Sequence, residues 1–124
     1  FGLAGLYCTE PDEIVENDAP LKETAGVLMH TWAPESLLIT LGHQGMALFK
    51  RSEPDSIFAI PTIAREVFDV SGAGDTVIAT YTLCMAAGAD GEEAAEISNH
   101  AAGIVVGKAG TAVTDLAELA ASFR

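Results

Sequence analysis

The sequence predicts an α/β domain, and three observations carry that prediction. Short apolar runs bounded by Gly, Pro and polar residues fill the middle of the chain, at Ser36 to Leu41, Met46 to Lys50 and Ser56 to Ile60; this is the pattern of strands. Longer stretches from Thr76 to Ala87 and from Gly91 to Val106 carry apolar residues at helical spacing. Between the two lies one passage from extended to helical sequence through a glycine-rich turn, Ser71 to Asp75. Strands followed by helices with such a crossing belong to the α/β class.

The composition bounds what such a domain can do. The 124 residues amount to a single domain, 1–124, large enough to bury a core. An apolar fraction of 49% against 19% charged residues excludes a disordered chain and predicts a soluble globular one. The net charge of −12 leaves nothing to replace the counterions of a nucleic acid, so no nucleic-acid partner is expected. The same balance argues against an anionic membrane surface. Any phosphate ligand would have to be held by backbone amides, helix dipoles and a metal ion. Cys8 and Cys84 form no metal-binding or disulfide pattern. Cys84 reads as a small core residue, and the setting as a reducing cytoplasm. The apolar stretch Val77 to Ala89 is too short for a bilayer, and no signal peptide is recognisable.

Taken in order, Glu10-Pro-Asp-Glu13 reads as a helix start, running through Val15 and lapsing between Asn17 and Pro20. Leu21 to His30 is a second short helix that packs Leu21, Ala25 and Leu28. Ser36 to Leu41 is a buried strand, Gly42 to Gly45 a turn, and Met46 to Lys50 the returning strand. Ser52 to Asp55 is a polar connection, and Ser56 to Ile60 is a third strand that Pro61 stops. Glu66 to Val70 is extended and leads into the glycine turn. A helix from Thr76 to about Ala87 ends at Gly88. The next, Gly91 to Val106, turns Glu92, Glu93 and Glu96 outward. Gly107 and Gly110 mark a loop, and Asp115 caps a last helix reaching Phe123.

Three segments could carry chemistry. In Asp69-Val-Ser-Gly-Ala-Gly-Asp75, glycines let the backbone approach an anion while the first N–H groups of the helix point at it. A carboxylate there repels phosphate, so Asp75 suits a base that takes a proton from an attacking hydroxyl; a plain helix N-cap is the alternative. Thr40-Leu-Gly-His-Gln-Gly45 is a strand end where backbone can meet a phosphate or ribose, or an ordinary hairpin turn. In Asn99-His-Ala-Ala-Gly-Ile-Val-Val-Gly-Lys-Ala-Gly110, small residues permit a flat ring to lie against a helix, with Asn99 as a polar contact. Close helix packing at Gly103 is the other reading.

Together and in this order the segments resemble the PfkB carbohydrate kinases, the ribokinase-like family. Its signature Asp-x-[Thr/Ser]-[Gly/Ala]-Ala-Gly-Asp-[Thr/Ser] is matched by Asp69 to Thr76, and the likeness runs from about Ser36 to Leu119. The resemblance implies the C-terminal, nucleotide-binding half of a three-layer α/β/α kinase fold. It implies Asp75 as catalytic base, Gly72, Ala73 and Gly74 as the anion hole, Thr40, Gly42 and Gly45 along the nucleotide, and Asn99 by the adenine. The implied cofactors are ATP, Mg2+ and K+, the last with Asp69, Ser71, Val105, Lys108, Gly110 and Thr114 as ligands, Val105 and Lys108 through main-chain oxygens. Within the family, Gly74-Asp-Thr-Val-Ile78 and Ala101 to Thr111 are most similar to the heptose-phosphate kinases. These act in ADP-heptose synthesis for lipopolysaccharide and phosphorylate O1 of D-glycero-β-D-manno-heptose 7-phosphate.

The resemblance also implies a sugar-binding N-terminal half and a lid of strands that this sequence does not show, nor is the family's Asn-x-x-Glu motif found in it. An exposed sheet edge and apolar face are therefore expected, favouring a homo-oligomer or pairing with that N-terminal half. The alternative function is a nucleotide-binding or assembly fragment with no turnover of its own. A dinucleotide oxidoreductase and a P-loop kinase are disfavoured, because GxGxxG after the first strand and GxxxxGK[ST] are both absent.

Overall fold

The computed structural model describes residues 15–64, 67 and 69–124. The expected helix start at Glu10 and the residue Cys8 lie outside the described residues, as does part of the extended piece 66–70. The chain divides into two compact units, Phe1–Ala59 and Ile60–Arg124.

In the first unit a single 3-10 turn, Val15–Asn17, leads into helix α1, Ala19–Trp32. Asp18 is its N-cap and accepts the Leu21 N–H at 2.7 Å while itself 1% exposed. The helix thus starts two residues before the expected Leu21. Pro20 sits in its first turn, where a missing N–H costs nothing, instead of in a break before it. Leu21, Ala25 and Leu28 are buried, as their spacing predicts.

Strands β1 (Ser36–Thr40), β2 (Met46–Lys50) and β3 (Glu53–Ile60) form one sheet in that order. β1 and β2 pair antiparallel with Leu38 opposite Leu48. The two-residue link Arg51–Ser52 joins β2 to β3 as a hairpin. The strand expected to be buried, β1, is half-buried. Burial falls on β2, where Met46 to Phe49 are all covered, because β2 is flanked on both sides and β1 is an edge among the described residues. β3 is also longer than expected. Its exposed Glu53, Pro54 and Asp55 belong to the strand and not to a connection, which an edge strand tolerates. Val15, Leu21, Ala25, Leu41, Ala47 and Phe49 make the unit's core.

The second unit is helical. α2 (Ala73–Ala87) packs along α3 (Gly91–Val106), and α4 (Leu116–Ala121) packs on α3. α3 has the expected bounds, and Asp90 caps it through a reciprocal box with Glu93. Asp115 caps α4 in the same way with Glu118, although α4 stops at Ala121, short of Phe123. Gly88 ends α2 at φ 96°, a backbone that glycine adopts without penalty. Cys84 is half-buried, not a core residue, because α2 covers little beyond Val77. Among the described residues no helix is long and apolar enough to cross a membrane.

Candidate functional site

The glycine turn of the second unit is built by local hydrogen bonds. The Asp69 carboxylate accepts the Ser71 N–H at 2.8 Å and folds the chain back, while the Asp69 N–H donates to the Val106 carbonyl of α3 at 3.3 Å. Gly72 then adopts φ 80°, ψ 1°, a left-handed conformation that sets the entry into α2. The Gly72 carbonyl is held twice, by the Thr76 N–H and the Thr76 hydroxyl, each at 2.9 Å.

That arrangement determines which donors remain. The Ala73 N–H donates to Val70, but among the described residues no acceptor takes the N–H of Gly74 or Asp75. These are orphan donors at the positive end of a 15-residue helix. Gly74 is exposed, and a Cβ built on it would meet nothing within 4 Å. A small anion can therefore approach the backbone here.

Asp75 is the third residue of α2, and the N-cap position is occupied by Gly72 without any side-chain cap. In α3 and α4 the acid at the equivalent third position turns back to the N-cap N–H, as Glu93 and Glu118 both do at 3.2 Å. Asp75 makes no such bond, and among the described residues nothing hydrogen-bonds its carboxylate. The N-cap alternative is thereby removed: Asp75 presents an exposed, unengaged carboxylate in the same first turn of α2 as the two unengaged amides, one of them its own.

The candidate cation ligands are brought together in part. Asp69, Ser71 and Gly110 meet: the Ser71 hydroxyl, the Ser71 N–H and the Gly110 N–H hold the Asp69 carboxyl below its ordinary range. The Val105 carbonyl accepts the Lys108 N–H at 3.0 Å. Thr114 makes a long 3.4 Å contact from its hydroxyl to the Asp115 carbonyl. Carboxylate, hydroxyl and carbonyl oxygens suit a hard monovalent cation, so the chemistry of this set fits K+. Mg2+ asks less of the chain, because phosphate oxygens and water supply most of its shell. Among the described residues no group of three or more His, Cys, Asp or Glu is placed to hold a metal ion.

The side chain of Lys108 was given no role by sequence reasoning, yet it organises this loop. Its ammonium donates to the Val113 carbonyl at 2.8 Å and to both Glu118 oxygens at 2.7 and 2.9 Å. Glu118, ten residues on, gave no signal of this in the sequence beyond its place in the α4 capping box. Asn99 is buried, and its amide nitrogen donates to the Pro61 carbonyl at 2.8 Å, pinning the chain after β3 to α3. Gly103 admits a close neighbour, but not a flat ring: a Cβ there would lie 3.0 Å from the Ile63 side chain. The packing alternative holds at that position.

Thr40, Gly42 and Gly45 form a group of their own in the first unit. Thr40 ends β1 and is exposed. Gly42 and Gly45 have φ of 60° and 94° and bracket a 3-10 turn, closed by the Gly45 N–H on the Gly42 carbonyl at 3.1 Å. Positive φ at both ends explains why glycines stand there.

Comparison with known proteins adds a separate line. Residues 11–117 match the sequence profile of the pfkB family carbohydrate kinases. The bifunctional protein HldE of Desulfatibacillum aliphaticivorans is 49% identical over 110 residues, which is 89% of this chain and 22% of that protein. HldE of Pelobacter propionicus is 52% identical over 99 residues, covering 80% of this chain and 20% of that one. The chain thus spans 20–22% of the length of these curated relatives. Among solved structures, Arabidopsis thaliana ribokinase complexed with ribose and ATP is similar at a TM-score of 0.73 and 27% identity, over 85% of this chain and 33% of that one. Phosphofructokinase-2 from Escherichia coli in complex with potassium reaches a TM-score of 0.77 at 19% identity, over 98% of this chain and 38% of that one, a likeness of fold alone.

Proposed function

The chain belongs to the pfkB family of carbohydrate kinases and carries part of their ribokinase-like α/β fold, and from that premise we propose that it is the nucleotide-binding part of a cytoplasmic sugar kinase. On this reading residues 1–124 are a portion of one kinase domain, and the sugar-binding half and lid are supplied by further sequence. The reaction is transfer of the γ-phosphoryl of ATP to a sugar hydroxyl. The observation that carries the reading is the family's signature run lying at the start of α2, with the Gly74 and Asp75 amides and the Asp75 carboxylate all unengaged among the described residues.

The chemistry follows from those groups. Asp75 takes the proton of the acceptor hydroxyl as its oxygen attacks the γ-phosphorus, and ADP leaves with the electrons of the broken P–O bond. Gly72, Ala73 and Gly74 form the anion hole in this reading, and the unengaged Gly74 and Asp75 N–H groups meet the negative charge that grows on the transferring phosphoryl, a preorganised field that needs no cationic side chain. Thr40, Gly42 and Gly45 lie along the nucleotide in this reading, and Asn99 sits by the adenine. Mg2+ would neutralise the phosphate chain, and K+ held by Asp69, Ser71, Val105, Lys108, Gly110 and Thr114 would add positive potential beside the anion hole. The acceptor we favour is O1 of D-glycero-β-D-manno-heptose 7-phosphate, supported by the wording of 74–78 and 101–111 and by the likeness to the HldE proteins.

The test is Asp75→Asn in the intact kinase, with ADP release followed against heptose 7-phosphate, ribose, fructose and fructose 6-phosphate. Loss of the base should lower kcat by about 10²–10⁴-fold while Mg·ATP still binds. Full turnover in the variant would remove Asp75 from the mechanism. A wild-type preference for one of the other sugars would overturn the acceptor assignment.

A second reading, a fragment that binds nucleotide or assembles without turnover, is favoured by one observation. On α2, Ile78 and Leu83 are 68% and 70% exposed, and a helix apolar on most faces normally needs cover. In that case the 124-residue chain shows no turnover alone, runs large on sizing, and gains activity only when its N-terminal half is added.

A further inference from the structure

Within the first unit, α1 and the β2–β3 hairpin enclose a groove of about 490 Å³ that the kinase reading leaves unused. None of Thr40, Gly42 and Gly45 lines it. Its size falls in the range of small-molecule sites, roughly 300–1,000 Å³. Ala25 and Phe49 are buried beneath it, with Met29 and Ile57 half-buried beside them, so the floor is apolar.

Its charge runs against that of the molecule. The chain holds six Lys and Arg against eighteen Asp and Glu, yet Lys22, Lys50 and Arg51 line this one groove, and among the described lining residues Asp55 is the sole acid. Lys50 is steadied by Glu53 at 2.8 Å, and the Arg51 guanidinium is anchored on the Ala33 carbonyl, the C-cap of α1. These bonds hold the two cationic heads at the rim, and the guanidinium has donors to spare. Among the described residues no acceptor engages the Lys22 ammonium, which stands on the α1 side. On the same side Gly26 opens the helix surface, with nothing within 4 Å of a Cβ placed there.

We propose that the groove between α1 and the β2–β3 hairpin binds a small anion with an apolar body, such as an aryl or alkyl carboxylate or phosphate ester. The apolar part lies on Phe49 and Ile57, and the anionic head reaches Lys22 and Arg51. An anion without an apolar body gains nothing from the floor, and an uncharged analogue gains nothing from the rim. This proposal does not rest on the kinase reading.

The probes are 4-phenylbutyrate, its neutral amide, phenyl phosphate and inorganic sulfate, titrated into the ¹⁵N-labelled 124-residue chain and followed by amide shifts. Both aryl anions should give saturable shifts confined to α1 and residues 49–57, and a stronger response to one of them identifies the preferred head. Lys22→Glu should weaken binding by roughly tenfold or more, the scale expected on reversing a charge close to a bound anion near the surface. Gly26→Leu should abolish binding by filling the groove. It introduces a better helix former at an interior position of α1, so its loss of binding does not come from unfolding, and circular dichroism checks this. Four outcomes would overturn the proposal: equal binding of the neutral amide, undiminished binding to Gly26→Leu, saturable binding of sulfate alone at the same amides, or a second copy of the chain occupying the groove in sedimentation.

Discussion

The signature turn contains two glycines for which the structure demands different things, and substituting each by alanine separates conformation from access. Gly72 sits at φ 80°, ψ 1°, and a Cβ there would touch nothing within 4 Å. The cost of Gly72→Ala is therefore purely conformational, about 1–2 kcal/mol for an L-residue held left-handed. Gly74 lies inside α2 with no positive φ and with equally open surroundings. Gly74→Ala should stabilise the fold by about 0.4–1 kcal/mol, through the entropy of the unfolded chain. The two variants thus differ by about 2 kcal/mol, and with a urea slope of about 2 kcal/mol/M their unfolding midpoints should lie about 1 M apart on opposite sides of the wild type. Mg·ATP binding should weaken in both. Gly72→Ala disturbs the direction of the orphan amides, and Gly74→Ala places a methyl group beside them. Stability is read by urea denaturation and binding by calorimetry, with and without potassium. Gly72→Ala with an unshifted midpoint would refute the left-handed entry into α2. Gly74→Ala that is more stable and binds nucleotide as tightly as the wild type would refute an anion approaching the Gly74 amide.

Other expectations follow from the caps and the α3–α4 contact. Asp18→Ala removes a buried N-cap and strands the Leu21 N–H, and should cost about 1–2 kcal/mol in denaturant unfolding, the upper part of the range for caps. The Glu118 carboxyl is held below its ordinary value of 4.5 by the Lys108 ammonium and then by the Asp115 N–H. A depressed carboxyl stabilises the fold above that ordinary value and loses the contribution as pH falls through its lowered one. Amide exchange in α4 should therefore rise only in acid below about 4.5, and Lys108→Met should raise it already at neutral pH and flatten its acid dependence. The Ser122 hydroxyl spends its proton on the Leu119 carbonyl at 2.7 Å, so the His100 Nδ1 that contacts it at 2.9 Å must be the donor. Nitrogen shifts at alkaline pH should show protonated Nδ1 and bare Nε2, and the reverse tautomer would refute this geometry.

Much of the framework was legible because it depends on neighbours in sequence. The spacing of Leu21, Ala25 and Leu28, the glycines after α2 and the Asp115 cap are local signals, and each falls where it was expected. Features that depend on tertiary surroundings were not legible. Leu37, Leu38 and Ile39 are as apolar as the β2 residues, but only pairing on both edges decides that β2 is the covered strand. Glu53, Pro54 and Asp55 read as a connection, since nothing local says that an edge strand will accept them. Gly103 illustrates the limit most clearly. A small residue on a helix announces that something comes close, but its identity here, Ile63, comes from a segment forty residues earlier in the chain. The same reasoning applies to the candidate sites. The glycine turn was readable because it is a short contiguous piece of backbone, with the unengaged amides and the acid within four residues. The cationic groove was not, because Lys22 and Arg51 are almost thirty residues apart and only the packing of α1 against the hairpin brings them to one rim. Backbone-built sites can be read from sequence; sites assembled from side chains of separate elements need the fold first.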